Sequence, residues 1–207
     1  MKQFIFTCLS LITYKASTAQ TKIAVKAGAN ISTARVYLED QKLDTKFNPG
    51  YGVGILFKVP FEGVLHFSPY LAYNRRGYTY TPKTGAITKY KNTIHYIDIV
   101  PSLSVDFPSG ENSFVISAGP HVSIAVAGTE KISMGNINSS SRMKFSTSTN
   151  YGLLDLGVGG SIGYHMKKFF VETAFQLGLA NINNNVEVDK RNIRNRMISL
   201  QAGYYLK

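Results

Sequence analysis

Residues 114–126 read Phe-Val-Ile-Ser-Ala-Gly-Pro-His-Val-Ser-Ile-Ala-Val. Alternate positions place Phe114, Ile116, Ala118, Pro120, Val122, Ile124 and Val126 on one side. Val115, Ser117, Gly119, His121, Ser123 and Ala125 fall on the other. Successive side chains of a strand point to opposite faces, so this stretch predicts a β-strand with one apolar face and one small or polar face.

The same period of two recurs on both sides of it. Residues 198–206 set Ile198, Leu200, Ala202, Tyr204 and Leu206 against Ser199, Gln201, Gly203 and Tyr205. Residues 169–179 set Phe169, Val171, Thr173, Phe175, Leu177 and Leu179 against Phe170, Glu172, Ala174, Gln176 and Gly178. Comparable segments lie at 22–31, 50–59, 64–77, 93–107 and 151–165. That makes eight predicted strands, most of them near the roughly 9–11 residues that cross a bilayer.

The connections alternate in length. Long polar stretches at 32–49, 78–92, 128–150 and 181–195 are separated by three short turns. The turns are Pro60-Phe61-Glu62-Gly63, the segment around Pro108-Ser109-Gly110, and the segment around Met166-Lys167-Lys168. Long loops at one end and short turns at the other are the pattern of an outer-membrane barrel. The Ser/Asn-rich stretch 136–150 reads as a loop tip.

The N-terminus begins MKQFIFTCLSLITYKASTAQ. Lys2, the apolar run Phe4 to Ile12 and the small residues Ser17-Thr18-Ala19 predict a signal peptide over 1–19, with the barrel domain over 20–207. Cys8 would leave with it, so the mature chain would hold neither disulfide nor thiolate nucleophile. The full chain of 207 residues carries 23 Lys and Arg against 12 Asp and Glu, a formal charge of +11. Loss of Lys2 and Lys15 would lower that from +11 to +9.

Alternation alone fits both a soluble lipocalin-like barrel, apolar inside, and a membrane barrel, apolar outside. Charged residues are only 17% of the chain. The polar face is rich in glycine (Gly28, Gly52, Gly54, Gly119, Gly157, Gly159, Gly178 and Gly203), which suits the interior of a narrow barrel. Aromatic residues gather near strand ends on the apolar face: Tyr51 and Tyr73 towards the long loops, Phe57, Phe107, Tyr164, Phe169 and Tyr204 towards the short turns. The last strand is placed to close on the first. These features predict an all-β fold: an eight-stranded antiparallel up-and-down transmembrane β-barrel in the cell outer membrane. Pro69, Pro101 and Pro120 fall inside predicted strands, and bulges or bends are expected there because proline removes a ladder hydrogen bond.

The segments IAVKAGANIS, GYGVGILFKVPFEGVLHFSPYLAY, AGPHVSIAVAG and ISLQAGYYLK together resemble the PorT-like or porin-like outer-membrane β-barrel proteins of Bacteroidetes-type bacteria, over about 22–207. The resemblance implies a small eight-stranded barrel of a kind mostly without an assigned activity, and no catalysis is expected of it. One branch of that family serves protein secretion and gliding machinery, so secretion-machine proteins are candidate partners. Gln201 to Lys207 looks like the signal read by the barrel assembly machinery, although it ends on Lys207 and not on an aromatic residue.

Candidate functional residues follow from the faces. Lys26, Lys58, Arg76, Asp98, Asp155 and Glu172 lie on the polar face and are expected to form a charge network filling the lumen. A selective pore is the alternative. Lys190, Arg191, Arg194 and Arg196 in the last long loop are candidate contacts to lipopolysaccharide phosphate. His66, His95, His121 and His165 are scattered without metal-like spacing, so no metal and no cofactor is expected. Ser117, Ser123 and His121 share a face, a weak echo of a hydrolase that would need a Ser–His hydrogen bond. The glycines at Gly157, Gly159 and Gly160 precede no helix and do not form a phosphate loop. Nucleic acid is not an expected partner of an exported barrel. The function expected is structural or surface-binding, through the long loops.

Overall fold

A computed structural model describes residues 21–38, 41–82, 87–146, 151–184 and 190–206. The predicted signal peptide lies outside the described residues. No helix occurs among them. The strands are β1 (Lys22–Leu38), β2 (Gln41–Leu43), β3 (Thr45–Glu62), β4 (Leu65–Phe67), β5 (Tyr70–Tyr80) and β6 (Lys89–Val100). They continue with β7 (Leu103–Ser109), β8 (Asn112–Met134), β9 (Ile137–Arg142), β10 (Leu154–His165), β11 (Phe169–Gly178) and β12 (Arg191–Tyr205).

Antiparallel ladders run β1–β3–β5–β6–β8–β10–β11–β12, and β12 pairs with β1 to close the ring. β4 and β7 continue the lines of β5 and β6, so the closed barrel has eight staves. Closure leaves no free edge in lipid, where an unpaired backbone group has no water to bond. The two ends of the chain meet: Leu206 N–H donates to the Ile23 carbonyl at 2.7 Å.

The interruptions in β4–β5 and β6–β7 coincide with two of the internal prolines. Tyr70 pairs with Val100 and Phe67 with Leu103, so Pro69 stands opposite Pro101. Ile99 pairs with Val122 and Leu103 with Ala118, so Pro101 also stands opposite Pro120. The three prolines therefore form one row across three adjacent staves. Each lacks an N–H, and gathering them confines the missing donors to one place. Serine hydroxyls take over part of the bonding. Ser102 Oγ donates to the Ser68 carbonyl at 2.5 Å, Ser68 N–H donates to the Ser102 carbonyl at 2.8 Å, and the Ser68 and Ser104 hydroxyls are 2.6 Å apart. Pro120 differs from the other two. It lies in unbroken β8, in register with Val158, and the irregularity in that strand falls further on, between the His95 and Tyr96 pairings.

The short turns are tighter than the sequence suggests. β3 runs through Pro60 to Glu62 with a bulge between them, and the turn itself falls at Gly63-Val64. Gly63 (φ 54°) and Gly110 (φ 64°) occupy the left-handed region, which a side chain would penalise.

The predicted long loops are largely strand. β1 continues to Leu38, β3 begins at Thr45, β8 runs for 23 residues to Met134, and β12 begins at Arg191. β9 folds back on β8 from Thr129 to Met134, so the stretch read as a loop tip contains an ordered hairpin. The staves thus extend well past the bilayer at the long-loop end.

Candidate functional site

The apolar face points outward along the middle and short-turn end of the barrel. Val25, Ile31, Ile55, Ile116, Ile162, Val171, Phe175, Ile198 and Leu200 are exposed there, with Leu200 61% and Ile162 64% accessible. Aromatic pairs sit on the same outer surface near the strand ends: Tyr51 with Tyr73, and Phe169 with Tyr204.

The lumen behind this wall is filled in layers. Nearest the short turns, Lys58 Nζ lies 2.5 Å from Asp106 Oδ2, and Lys26 Nζ lies 2.8 Å from Glu172 Oε1. The Lys26 ammonium also sits 3.7 Å from the centre of the Tyr70 ring. A small cavity of about 30 Å3 remains beside these residues, lined in part by Ser68, Ser102, Ser104, Ser117 and Ser161. That is room for ordered water and little else.

The middle layer is organised by Arg76, 3% accessible. Its guanidinium donates to Asp98, to Gln176 Oε1 at 2.7 Å and to Ser123 Oγ at 3.3 Å, and lies 3.9 Å from Asp155 Oδ2. Asn74 Nδ2 donates to Asp98 at 2.6 Å, and Asn195 Nδ2 donates to Asp155 at 2.8 Å and to Tyr96 Oη at 3.1 Å. One guanidinium from β5 therefore reaches groups on β6, β8, β10 and β11. The planar fork lets a single side chain contact two buried carboxylates at once, balancing the charge of one of them, while Asn74 and Asn195 donate to the pair.

Above this layer the polarity of the two faces inverts. On β1 the outward series Val25, Ala27, Ala29, Ile31 gives way to Thr33, Arg35 and Tyr37, while the inward series passes from Lys26, Asn30 and Ser32 to Ala34 and Val36. On β12 the outward series Tyr204, Ala202, Leu200, Ile198 gives way to Arg196, Arg194 and Asn192, while buried Met197 and Ile193 face inward. Ile31 and Ile198 are direct cross-strand partners at the boundary. Beyond it Ala34, Val36, Tyr78, Tyr90, Ile94, Tyr96, Tyr151, Ile182 and Ile193 belong to one buried apolar cluster. An outer wall that turns polar while the interior turns apolar is the pattern of a barrel leaving lipid for water. The long-loop end is a projecting stem with its own core. Tyr90 and Tyr151 hydroxyls, 2.7 Å apart, and Tyr151 Oη donating to Glu130 Oε1 at 2.8 Å tie it together.

The residues singled out from sequence are distributed as follows. Arg76 meets Asp98 and Asp155, and Lys26 meets Glu172. Lys58 meets Asp106, which the sequence reading did not single out. Asp106 continues the inward period of Asp98, Ser102 and Ser104, and that signal was available. Arg191, Arg194 and Arg196 are strand residues, not loop residues. Arg191 turns inward, donating to Tyr80 Oη at 2.9 Å with its guanidinium 5.2 Å from the Tyr90 ring centre. Arg194 and Arg196 turn outward, and Lys190 precedes the strand. His121 is buried, and neither Ser117 nor Ser123 bonds to it. Ser117 pairs with Ser161 at 2.7 Å, and Ser123 accepts from Arg76. No cluster of metal-ligating side chains occurs among the described residues.

A model of the outer membrane protein beta-barrel domain matches residues 17–184, well over half of the chain. The chain belongs to that family. The match ends before β12, the stave that closes the ring. No curated protein matches the sequence. Solved structures of eight-stranded outer-membrane barrels are similar in fold at low identity. Ail of Yersinia pestis, solved with the heparin analogue sucrose octasulfate, is 14% identical, with a TM-score of 0.47 over 90% of this chain and 99% of its own. OprG of Pseudomonas aeruginosa is 11% identical, with a TM-score of 0.49 over 91% and 97%. Neisserial surface protein A is 13% identical, with a TM-score of 0.46 over 88% and 96%. The protein is an outer-membrane β-barrel and resides in the outer membrane.

Proposed function

We propose that this barrel is a non-catalytic, non-conducting protein that works through its projecting stem. The observation that carries this is the inversion at Ile31 and Ile198: beyond it the staves enclose an apolar core in water. A barrel that only sealed itself into lipid would not need this ordered height above the bilayer. The charge layers support a plugged lumen, because each buried carboxylate that meets a cation there is held in place by several staves. Residues 1–19 act in this reading as the export signal, and the barrel assembly machinery inserts the chain. The hydrolase reading lacks the pair it would need, since Ser117 bonds to Ser161 and Ser123 accepts from Arg76, and neither bonds to His121. Service as a subunit of a PorT-like secretion or gliding machine is the second reading. It rests on the sequence resemblance and would show as co-purification with a large envelope complex.

Part of the stem can be removed without altering the lipid-facing band, which gives the test. A chimera would keep the lipid-facing band and replace residues 129–142 and 181–190 with short turns. It should still fold and migrate as a heat-modifiable barrel but fail to restore the envelope phenotype of a deletion strain. Restoration by the chimera would place the function in the wall or lumen instead.

A further inference from the structure

Arg35 on β1 and Arg194 on β12 are direct cross-strand partners, both exposed and both outward. Arg196 is the next outward residue on β12, diagonal to Arg35 and opposite Thr33. Directly opposed side chains in a ladder stand about 5 Å apart at Cβ, and diagonal ones about 7–8 Å. Three arginine side chains therefore spring from one patch of the outer wall. Like charges so placed repel each other, and among the described residues none of the three is in an ion pair. An anion bound at this patch would relieve that repulsion.

The height of the patch identifies that anion. Immediately below lie Ile31 and Ile198, and below them Ala29 and Leu200, the upper edge of the lipid-facing surface. Arg194 Nε donates to Asn192 Oδ1 at 3.2 Å, which steadies its side chain above the patch. A ligand that fits carries phosphate at the level of the arginines and hydrocarbon at the level of the isoleucines. Guanidinium forks match phosphate oxygens, and two or three can share one group.

We infer that Arg35, Arg194 and Arg196 form a wall site for the phosphate of an outer-leaflet glycolipid. The inference rests on the reading that the stem is the extracellular end. A free sugar phosphate offers the same head group without the chains, and the experiment separates the two.

The full-length mature protein is placed in nanodiscs containing either phosphorylated lipid A or its dephosphorylated form, and bound lipid is read by native mass spectrometry. Wild type should retain the phosphorylated lipid, and R35Q/R194Q/R196Q should retain about tenfold less, the loss expected from roughly one strong charge-assisted contact or more. The charge-matched variant K22Q/K167Q/K168Q, altered at the other end, should retain as much as wild type. Glucosamine 1-phosphate in solution should not compete. Equal retention by the arginine variant, or equal retention of the dephosphorylated lipid, overturns the site. Full competition by the soluble sugar phosphate overturns its assignment to a lipid. Heat-modifiable migration shows that each variant is folded. The orientation is checked separately by labelling K131C and K167C on intact cells with an impermeant maleimide. Labelling at position 167 in place of 131 would remove the extracellular stem itself, whatever the lipid result.

Discussion

Lys26 and Glu172 meet at 2.8 Å across the lumen although their strands are not neighbours. β12 lies between β1 and β11, and in the ladders Lys26 faces Gly203 while Glu172 faces Gln201. Gly203, opposite the lysine in the ladder, leaves a vacancy on the lumen wall. The same vacancy receives the Phe170 ring, which is fully buried and stacks on His165 with ring centres 4.6 Å apart. A glycine, an ion pair and an aromatic stack are thus one device for filling a narrow tube.

Removing one partner of the ion pair should be costly, because the other is left buried and uncompensated. Lys26→Met is expected to destabilise the barrel by about 3–5 kcal/mol, and Lys26→Met with Glu172→Leu by much less. Urea midpoints in detergent micelles measure this. A double variant no more stable than the single one would show that the pair is not the unit that matters.

Gly203→Ala should destabilise by about 1–3 kcal/mol, since the new methyl would meet the Phe170 ring and the packed interior gives little way. Phe170→Leu should relieve most of that in combination. The same unfolding measurement decides it, and a neutral Gly203→Ala would mean that the lumen is looser than described.

The serines beside the proline row should each contribute through a hydrogen bond. Ser102→Ala removes the donor to the Ser68 carbonyl and should cost about 1 kcal/mol. The loss should appear as faster amide exchange around 67–70. An unchanged exchange pattern would leave the row of prolines without the support assigned to it.

Arginine on the lipid face should cost about 2–4 kcal/mol near the midplane, as at Ile116, and less at Phe175 and Leu200 near the upper edge of the lipid-facing surface. At Ser199, which is buried in a filled lumen, arginine is also costly, by overpacking. Phenylalanine separates the faces: it should be tolerated at Leu200 and not at Ser199. Assembly efficiency in cells reads both, and equal tolerance would contradict the register.

The eight staves were legible because lipid enforces one rule, apolar out, through the middle of every strand. Phe114 to Val126 shows it without interruption. The strand extensions were not legible for the same reason. Past Ile31 and Ile198 the rule reverses, and a reading that follows one face meets Thr33, Arg35, Arg194 and Arg196 and takes the strand to have ended. Following both faces would have found Ala34 and Val36, Met197 and Ile193 continuing inward. Arg191 shows the limit of reading charge by position: it stands between arginine-rich neighbours in sequence, yet its parity turns it inward onto Tyr80 and Tyr90. The partner of Lys58 was missed because Asp106 lies beyond the Pro101 interruption, although its parity is unchanged.

Planar-bilayer conductance tests the closed lumen most directly. Arg76 joins Asp98, Ser123, Asp155 and Gln176 across the tube, and the stem above it is packed with tyrosine and aliphatic side chains. The purified mature protein should therefore insert without stable current steps, and Arg76→Ala, which removes the tie between staves, should be the variant that admits them. Steady, ion-selective openings from the wild-type protein would contradict the account and make the barrel a pore.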